Sequence, residues 1–421
     1  MPDRAAERGE KRLPPALILG SDFKALGVAR RLGRRGIACT VLDAVPRSAW
    51  FSRYTRRRIR WSGSLGDEAL LTFLLSSGPT SNLQGAVLFP MQDEAVELIS
   101  RHHTKLARLY RLTTPPWEVA RWALDKRLTY RMAQELEVPA PRTWYPTDEQ
   151  ALLDLDLQFP VIVKPAISVH LQYTLRLKAL EARSHAELLS AYRQARTVLE
   201  ADEILLQELI PGGGQLQYSL GAFCENGQLL YALTARRRRQ YPIDYGLGSS
   251  FVEAVEVPAL YPLAEKLLRF MGASGMIEVE FKLDPRDGLY KLLDINLRPW
   301  GWHSLCVACG LDLPYLQYCQ ATGQTAHPPG PVRYGVRWLR LLTDLPAGLQ
   351  EIRAGLTSPL AYLRSLLGPT TFSVFSLTDP LPAIGDLLVA LLRLSHLQAS
   401  HPTPISSPPP TSAQETAPPT R

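Results

Sequence analysis

Short apolar runs alternate with segments of helical spacing along the first third of the chain. The first run, Ala16–Leu19, leads through a glycine loop into a helix that contains Gly27, and a second run, Ile37–Leu42, ends in Asp43. This order of strand, loop, helix and strand is typical of a doubly wound α/β domain. A third apolar strand and a helix that begins with two acids continue the pattern, so residues 15–115 are predicted to form one α/β domain.

The pattern changes after residue 115. Apolar side chains at four-residue spacing predict a helix over residues 124–137. Two hairpins follow, one with Asn226-Gly227 as its turn signal and one that turns at Asp284–Gly288. We therefore expect residues 116–330 to form a second domain of mixed sheets and helices, and residues 331–397 to pack on this core as an extension.

The two ends of the chain are polar. Residues 1–14 are charged and have no apolar h-region, and residues 398–421 are rich in Pro, Ser and Thr, so both are predicted to be disordered. No apolar run reaches the roughly 18 residues that a membrane helix needs. Five scattered cysteines favour reduced thiols and a cytoplasmic location.

The chain has the composition of an ordinary globular protein but clusters its positive charge. Of its 421 residues, 46% are hydrophobic and 21% are charged, and the formal net charge is +7. The stretch Arg53–Arg60 is RYTRRRIR, and Arg236–Arg239 is an unbroken RRRR. Clustered arginines suit phosphates, carboxylates or nucleic acid, and charge alone does not choose among these ligands.

One strand pair concentrates oxygen-bearing side chains. Asp294, Asn296 and Arg298 alternate in LLDINLRP, so an extended strand points all three to one face. Glu280, on the preceding strand, shares a face with Glu278, and facing side chains of antiparallel neighbours lie about 5 Å apart. Such oxygens suit Mg²⁺. The alternative, a hairpin whose acids pair with nearby lysines and arginines, fits the spacing equally well.

Other polar residues interrupt apolar strands. Lys164 lies inside FPVIVKP, where its ammonium needs either an anion or an exit to solvent. Gln207 and Glu208 end the apolar strand before a proline–glycine turn. In the arginine run, simple alternation places Arg236 and Arg238 on one side of the strand and Arg237 and Arg239 on the other.

Several common sites are not supported. The G-x-G-x-x-G fingerprint of dinucleotide binding is incomplete, which weakens the case for NAD. Cys306 and Cys309 form a single C-x-x-C without a second pair, so packed thiols are favoured over zinc. No Ser–His–Asp arrangement is evident. His170 and His303 are substrate-contact candidates, for which a structural role is the favoured alternative.

Taken in order, the segments LDK…VPAPRTW, FPVIVKP, LLQELIPGG, ARRRRQYP, EVEF and LLDINLRP resemble the ATP-grasp superfamily. The nearer likeness is to carboxylate–amine ligase-like members related to D-aspartate ligase and the large chain of carbamoyl-phosphate synthetase. The resemblance implies a pre-ATP-grasp α/β domain over residues 15–115 and a two-lobed ATP-grasp domain over 116–330, with its lid at about 143–210.

The resemblance also implies site residues. Lys126 and Lys164 match lysines that contact nucleotide phosphates, and Arg298 matches an arginine near the transferred phosphate. The hinge that holds adenine and ribose corresponds to Gln207, Glu208, Leu209, Ile210 and either Gln215 or Gln217. The magnesium ligands correspond to Glu280, Asp294 and Asn296. Substrate or phosphate contacts correspond to Arg236 and Arg239.

The implied activity is ligation of a carboxylic acid to an amine, with an acyl phosphate intermediate and release of ADP and phosphate. ATP and Mg²⁺, with Mn²⁺ as an alternative, are the expected cofactors, and small-molecule acids and amines are the expected partners, without membrane or nucleic acid. A homodimer is left open. A regulatory ATP-binding protein, or a ligase or kinase with a non-amine acceptor, is the alternative.

Two departures from the family pattern bear on the activity. The lid loop AISVHLQYT contains no glycine, although such loops are commonly glycine-rich because they close over phosphates. Asp294 stands where glutamate is more usual in the family.

Overall fold

The computed structural model describes residues 13–77, 79–167, 179–243 and 248–399. Most of the two termini that were predicted to be disordered therefore lies outside the described residues. The same is true of residues 168–178, which include most of the glycine-poor loop and His170.

Three sheets organise the described residues. The strands are β1 (Ala16–Leu19), β2 (Cys39–Asp43), β3 (Thr55–Arg60), β4 (Val87–Pro90), β5 (Arg111–Leu112), β6 (Thr143–Trp144), β7 (Val161–Pro165), β8 (Leu180–Ala182), β9 (Ile204–Glu208), β10 (Gln217–Glu225), β11 (Gln228–Tyr241), β12 (Gly248–Ala254), β13 (Gly275–Leu283), β14 (Tyr290–Asn296), β15 (Arg337–Leu339) and β16 (Thr370–Phe372). The sheet orders are β3-β2-β1-β4-β5, β14-β13-β10-β11-β12-β15-β16 and β6-β9-β7-β8.

Helices cover and connect these sheets. The α-helices span Phe23–Gly33, Glu68–Thr72, Asp93–Arg101, His103–Leu106, Trp117–Leu124, Lys126–Glu135, Glu149–Leu153, His185–Arg196, Leu260–Met271, His303–Ala308, Leu313–Thr322, Leu341–Arg353, Pro359–Ser365 and Leu381–Ala399. A 3₁₀ helix lies at Ser48–Phe51.

The first sheet is parallel throughout, which confirms the predicted doubly wound domain. Its central strands are fully buried because helices cover both faces, as parallel sheets require. The helix Phe23–Gly33 begins as expected after β1, and Asp22 caps it by accepting hydrogen bonds from the backbone N–H groups of Lys24 and Ala25.

The second sheet is built from the two predicted hairpins. Asn226 and Gly227 both have positive φ (48° and 80°), as a type I′ turn between β10 and β11 requires. The strands β13 and β14 pair antiparallel beside β10. The helix predicted over 124–137 is divided at Asp125, whose extended backbone ends one helix and whose carboxylate caps the next by accepting from the Arg127 N–H.

The C-terminal part of the chain joins the two larger sheets. Strand β15 pairs with β12 and extends the second sheet. Farther along, Asp379 accepts from Arg30 Nε at 2.9 Å, and the Val374 carbonyl accepts from Arg30 Nη2 at 2.8 Å. Because Arg30 lies on the first helix of the N-terminal domain, these buried contacts tie the last segment to the first.

Candidate active site

The acids of the second sheet meet where the sequence predicted. Glu278 lies opposite Asn296, and Glu280 lies opposite Asp294, across the β13–β14 pairing. The Asn296 amide donates from Nδ2 to Glu278 at 3.1 Å and to Glu280 at 3.2 Å. The antiparallel register therefore brings the three predicted metal ligands together and adds Glu278.

Glu278 is the acid that the sequence did not assign to the site. Its side chain is buried, and the Trp302 indole donates to Glu278 Oε1 at 2.7 Å. Burial and the adjacent Glu280 carboxylate raise the pKa of Glu278 well above its ordinary value. The only signal for Glu278 in the sequence was its alternation with Glu280.

The two lysines lie beside these acids. Lys126 Nζ binds Asp294 Oδ1 at 2.6 Å, and although burial opposes the charge, Asp294 raises the pKa of Lys126. Lys164 Nζ donates to the Tyr130 hydroxyl at 2.9 Å and to Gln207 Oε1 at 2.7 Å. Burial lowers the pKa of Lys164, and Lys126 lowers it further. A negatively charged ligand would reduce the repulsion between these two ammonium groups, of which Lys126 is buried and Lys164 is partly buried.

Arg298 links the acids to the N-terminal domain. Its Nε and Nη2 donate to the two carboxylate oxygens of Asp93 at 2.7 and 2.8 Å. Asp93 is the first residue of the helix Asp93–Arg101, and although burial opposes ionisation, Arg298 lowers the pKa of Asp93. This pairing across 205 positions was not visible in the sequence, where Asp93 marked only a helix start.

The predicted hinge lies at the end of β9 and is held by its side chains. Glu208 accepts from the backbone N–H of Arg142 at 2.9 Å and from Arg286 Nη2 at 3.1 Å. The Leu209 N–H donates to the Pro160 carbonyl at 3.3 Å, and the Ile210 carbonyl accepts from Lys282 Nζ at 2.8 Å. These hinge groups therefore already have partners within the chain.

The two glutamine candidates have different surroundings. Gln217 Nε2 donates to Glu280 Oε2 at 2.5 Å, which places the Gln217 side chain against the acids. Gln215 contributes its backbone carbonyl to Arg236 Nε at 2.8 Å. Of the two, Gln217 is the one that lies at the cluster.

The arginine run departs from simple alternation. Arg237 lies opposite Val252 and Arg239 lies opposite Phe251, and the pairing slips between them. Because Val252 and Phe251 are consecutive, their partners point to opposite faces of the sheet, with Arg238 as the extra residue of a β-bulge. This bulge separates two arginines that alternation had placed on one side.

The bulge determines which arginine lies beside the acid cluster. Arg237 Nη2 lies 3.7 Å from Glu280 Oε2. Arg239 instead forms a buried two-hydrogen-bond ion pair with Asp344 at 2.9 and 2.8 Å. Arg236 lies over the Tyr218 ring. Of these three arginines, the structure thus places Arg237 against the acid cluster, and it places Arg236 and Arg239, which the resemblance had assigned to the site, against other partners.

A cleft of about 1670 Å³ runs along these groups. Its lining includes eleven of the candidate site residues: Lys126, Lys164, Gln207, Glu208, Leu209, Ile210, Gln217, Glu280, Asp294, Asn296 and Arg298. Gln215, Arg236 and Arg239 are not among the lining residues. The lining also includes four cations that the sequence did not assign to the site, Lys24, Arg47, Arg237 and Arg340, of which Lys24 lies 3.4 Å from the Asp22 carboxylate. The cleft exceeds the roughly 300–1,000 Å³ of a typical small-molecule pocket, so it has room for more than one ligand.

The acid cluster fits a magnesium ion by its donor chemistry. Glu280 and Asp294 offer carboxylate oxygens, and rotation of the Asn296 amide would present Oδ1 in place of Nδ2. The raised pKa of Glu278 reflects, besides burial, a repulsion between carboxylates that a cation would relieve. Within the described ranges, no group of three or more His, Cys, Asp or Glu side chains is placed to hold a metal ion by itself. Phosphate or water oxygens would therefore complete the shell, as is usual for Mg²⁺.

No helix in the part of the chain that the structure describes has the length and apolar character to cross a membrane.

Comparison with known proteins gives a family match and a distant relative. Residues 200–342 match a family model described as ATP-grasp in the biosynthetic pathway with Ter operon. A D-aspartate ligase of Enterococcus faecium (strain Aus0004) is 27% identical over 227 residues, which are 50% of this chain and 53% of that protein. The chain thus spans about half the length of this curated relative.

Solved structures share the fold. The biotin carboxylase domain of Hydrogenobacter thermophilus 2-oxoglutarate carboxylase, in complex with MgADP, ADP and bicarbonate, has a TM-score of 0.63 at 14% identity, covering 77% of this chain and 73% of that chain. An L-amino acid ligase from Bacillus licheniformis has a TM-score of 0.56 at 14% identity, covering 77% and 78%. The resemblance inferred from the sequence, and with it the predicted fold class, is confirmed.

Proposed function

We propose that this ATP-grasp protein is a ligase that uses ATP and Mg²⁺ to join a carboxylic acid to an amine. One oxygen of the acid attacks the γ-phosphorus of ATP, ADP departs, and an acyl phosphate forms. The amine nitrogen then attacks the acyl carbon, phosphate departs, and the nitrogen loses a proton to solvent. The observation that supports this proposal is the single cleft that combines the acid cluster with two groups of cations.

The charged residues of the cleft have different proposed roles, according to the sign of their charge. Lys126 and Lys164 would bind the nucleotide phosphates, since phosphoryl transfer depends mainly on cations that align and neutralise oxygens. Glu280, Asp294 and Asn296 would hold Mg²⁺, which supplies charge neutralisation at the phosphates. Arg298, oriented by Asp93, would meet the transferred phosphoryl group.

Adenine and ribose would bind at the hinge between β9 and β10. Leu209 and Ile210 line the cleft there, and Lys282 orders the turn through hydrogen bonds to the Ile210 and Gly212 carbonyls, both at 2.8 Å. Gln217, at the start of β10, is the better placed of the two glutamines for the ribose side. An ordered hinge lowers the entropy lost when a nucleotide binds.

The cationic part of the cleft suits the carboxylate substrate. Lys24 and Arg47 come from the N-terminal domain, Arg237 from the second sheet and Arg340 from the C-terminal segment. Guanidinium groups bind carboxylates with two parallel hydrogen bonds and so fix their orientation. The names of D-aspartate ligase and L-amino acid ligase suggest that an amino acid is one of the two substrates.

The test is ADP release from the purified chain with ATP, Mg²⁺ and a panel of D- and L-amino acids, other small acids and amines. We expect release with at least one acid–amine pair and an amide product detectable by mass spectrometry. Glu280→Gln should abolish turnover, whereas Glu256→Gln, at an exposed position away from the cleft, should not. Nucleotide binding without ADP release for any pair would refute the ligase and favour the regulatory alternative.

A further inference from the structure

The C-terminal segment exposes an unusual amount of apolar surface. Of the 22 large hydrophobic side chains that are exposed in the described residues, fifteen lie between residues 341 and 392. We call these fifteen the leucine surface: Leu341, Leu345, Leu349, Leu356, Leu360, Leu363, Leu367, Phe375, Leu377, Leu381, Ile384, Leu387, Leu388, Leu391 and Leu392. Scattered exposed leucines are ordinary, but such a concentration indicates an interaction site.

The helix Leu381–Ala399 presents its large side chains outward. Gly385 packs against the Phe51 ring, and Ala383 packs on the core of the N-terminal domain. Leu388 and Leu391, in contrast, are 54% and 52% exposed. A helix that served only to cover the core would place its leucines inward and its small residues outward.

The helix Leu341–Arg353 repeats this inversion. Its buried positions are Asp344, Ala347 and Gly348, and Tyr362 packs against Gly348. Its leucines at positions 341, 345 and 349 lie one turn apart on the exposed face. Two helices of the same segment thus turn apolar faces to the outside.

The two helices adjoin at one point. Arg340, directly before the helix Leu341–Arg353, lies 3.9 Å from Asp386 of the last helix. All fifteen side chains of the leucine surface are between 40% and 87% exposed. An interface of standard size takes roughly 20–30 residues from each partner, so these fifteen side chains would supply at least half of one.

The composition of this surface favours a second copy of the chain. Between residues 381 and 392 the only charged side chain is Asp386, which is 14% exposed and accepts from Ser48 Oγ at 2.8 Å. Along this stretch a charged partner would find no exposed charge to complement, and the stretch has no basic face of the kind that a membrane-bound helix presents. The exposed Arg353 and Arg364 lie on the earlier helices of the leucine surface. An apolar face can pair with its own copy about a twofold axis without any charge match.

The spacing on the last helix points the same way. Leu381, Ile384, Leu388 and Leu391 follow the three-and-four spacing of a heptad seam. We propose that the leucine surface is the interface of a homodimer, with the seams of two copies of the helix Leu381–Ala399 packed against each other. This proposal does not depend on the ligase activity.

The test is the mass of the full chain in solution by sedimentation velocity and light scattering at micromolar concentrations. We expect twice the chain mass of 46.9 kDa for the wild type and a halved mass for Ile384→Glu/Leu388→Glu. The matched control is Leu153→Glu/Leu289→Glu, which changes two leucines of similar exposure outside the surface (49% and 48%) and should stay dimeric. A cooperative thermal unfolding transition would show that the seam variant is folded.

A cross-linking arm identifies the surface directly. All five cysteines of the chain are buried, so Leu388→Cys adds an exposed thiol, and a short bismaleimide should couple it across the twofold axis. Leu153→Cys should not couple. A monomeric wild type, or a seam variant that remains dimeric, would overturn the proposal. Flotation of a monomeric wild type with phosphatidylcholine vesicles would overturn it in favour of a membrane.

Discussion

Arg239 provides the most direct test of how this site is assembled. Family resemblance places Arg239 at the substrate, whereas the structure places it in the core, 6% exposed, with Nε and Nη2 on the two oxygens of Asp344. Its guanidinium also lies 4.5 Å from the Phe251 ring centre and 4.7 Å from that of Tyr362. We therefore predict that Arg239→Met acts on stability before it acts on catalysis.

The magnitude follows from what the substitution leaves behind. Asp344 has no exposed surface, so its carboxylate would remain buried without its ion-pair partner. Removing one partner of a buried pair costs about 3–5 kcal/mol. Two hydrogen bonds would remain, from Ser250 Oγ at 3.0 Å and from the Tyr362 hydroxyl at 3.2 Å. We therefore expect Arg239→Met to lower the free energy of unfolding by about 3 kcal/mol, the lower end of that range.

The assay is urea unfolding at neutral pH, followed by near-ultraviolet circular dichroism, together with ADP release under folding conditions. The control is Arg238→Met, because Arg238 is 42% exposed in its side chain and lies 3.5 Å from Glu253. An exposed pair of this kind contributes at most about 1 kcal/mol. The double variant Arg239→Met/Asp344→Leu should regain part of the loss, since it removes both charges.

The opposite pattern would refute the structural role of Arg239. If Arg239→Met unfolds at the wild-type urea concentration and yet loses ADP release, the guanidinium contacts a substrate and the buried ion pair does not govern this segment.

Three further results are expected. Arg237→Met should lower kcat/KM for the acid about 100-fold, which corresponds to the loss of about 3 kcal/mol from a charged contact. The control Arg238→Met should leave kcat/KM unchanged. Equal kinetics of the two variants would contradict the assignment of Arg237 to the acid substrate. Lys164→Met should raise the KM for ATP at least tenfold, measured by initial rates, because a phosphate loses a charged donor. Burial lowers the pKa of His303 to about 4. Between about pH 7.5 and about pH 5 the unfolded chain therefore binds more protons at this histidine than the folded chain does. The free energy of unfolding should fall by about 2 kcal/mol over this range as the pH decreases. His303→Gln should remove this dependence in urea titrations and exposed His327→Gln should not.

The sequence was most informative where a local period determines which way a side chain points. Antiparallel strands alternate with period two, so the shared face of Asp294 and Asn296 followed from spacing, and the hairpin brought Glu280 opposite. The turn at Asn226-Gly227 was equally local, because its two residues tolerate positive φ. These features depend on neighbours a few positions away.

Long-range contacts and irregular backbone were not predictable from the sequence. The β-bulge at Arg238 placed Arg237 and Arg239 on opposite faces of the sheet, and nothing in RRRR indicates which residue is extra. The ion pair of Arg239 with Asp344 joins residues 105 positions apart, and Asp344 lies in a segment whose pattern had no chemical signal. Such partners are determined by the packing of sheets and helices and not by spacing along the chain.

Arg298 would combine a structural contact with its proposed catalytic role in one side chain. A guanidinium has five N–H donors, and Asp93 accepts from Nε and Nη2, so donors remain on the other edge of the planar group. Because Asp93 begins a helix of the N-terminal domain, the orientation of Arg298 depends on how that domain packs against β14. A phosphoryl group at the acid cluster would then meet an arginine whose rotamer is already determined, which reduces the entropy lost in aligning the reacting groups. The N-terminal domain thus contributes to catalysis, in this proposal, by orienting a residue that belongs to another domain.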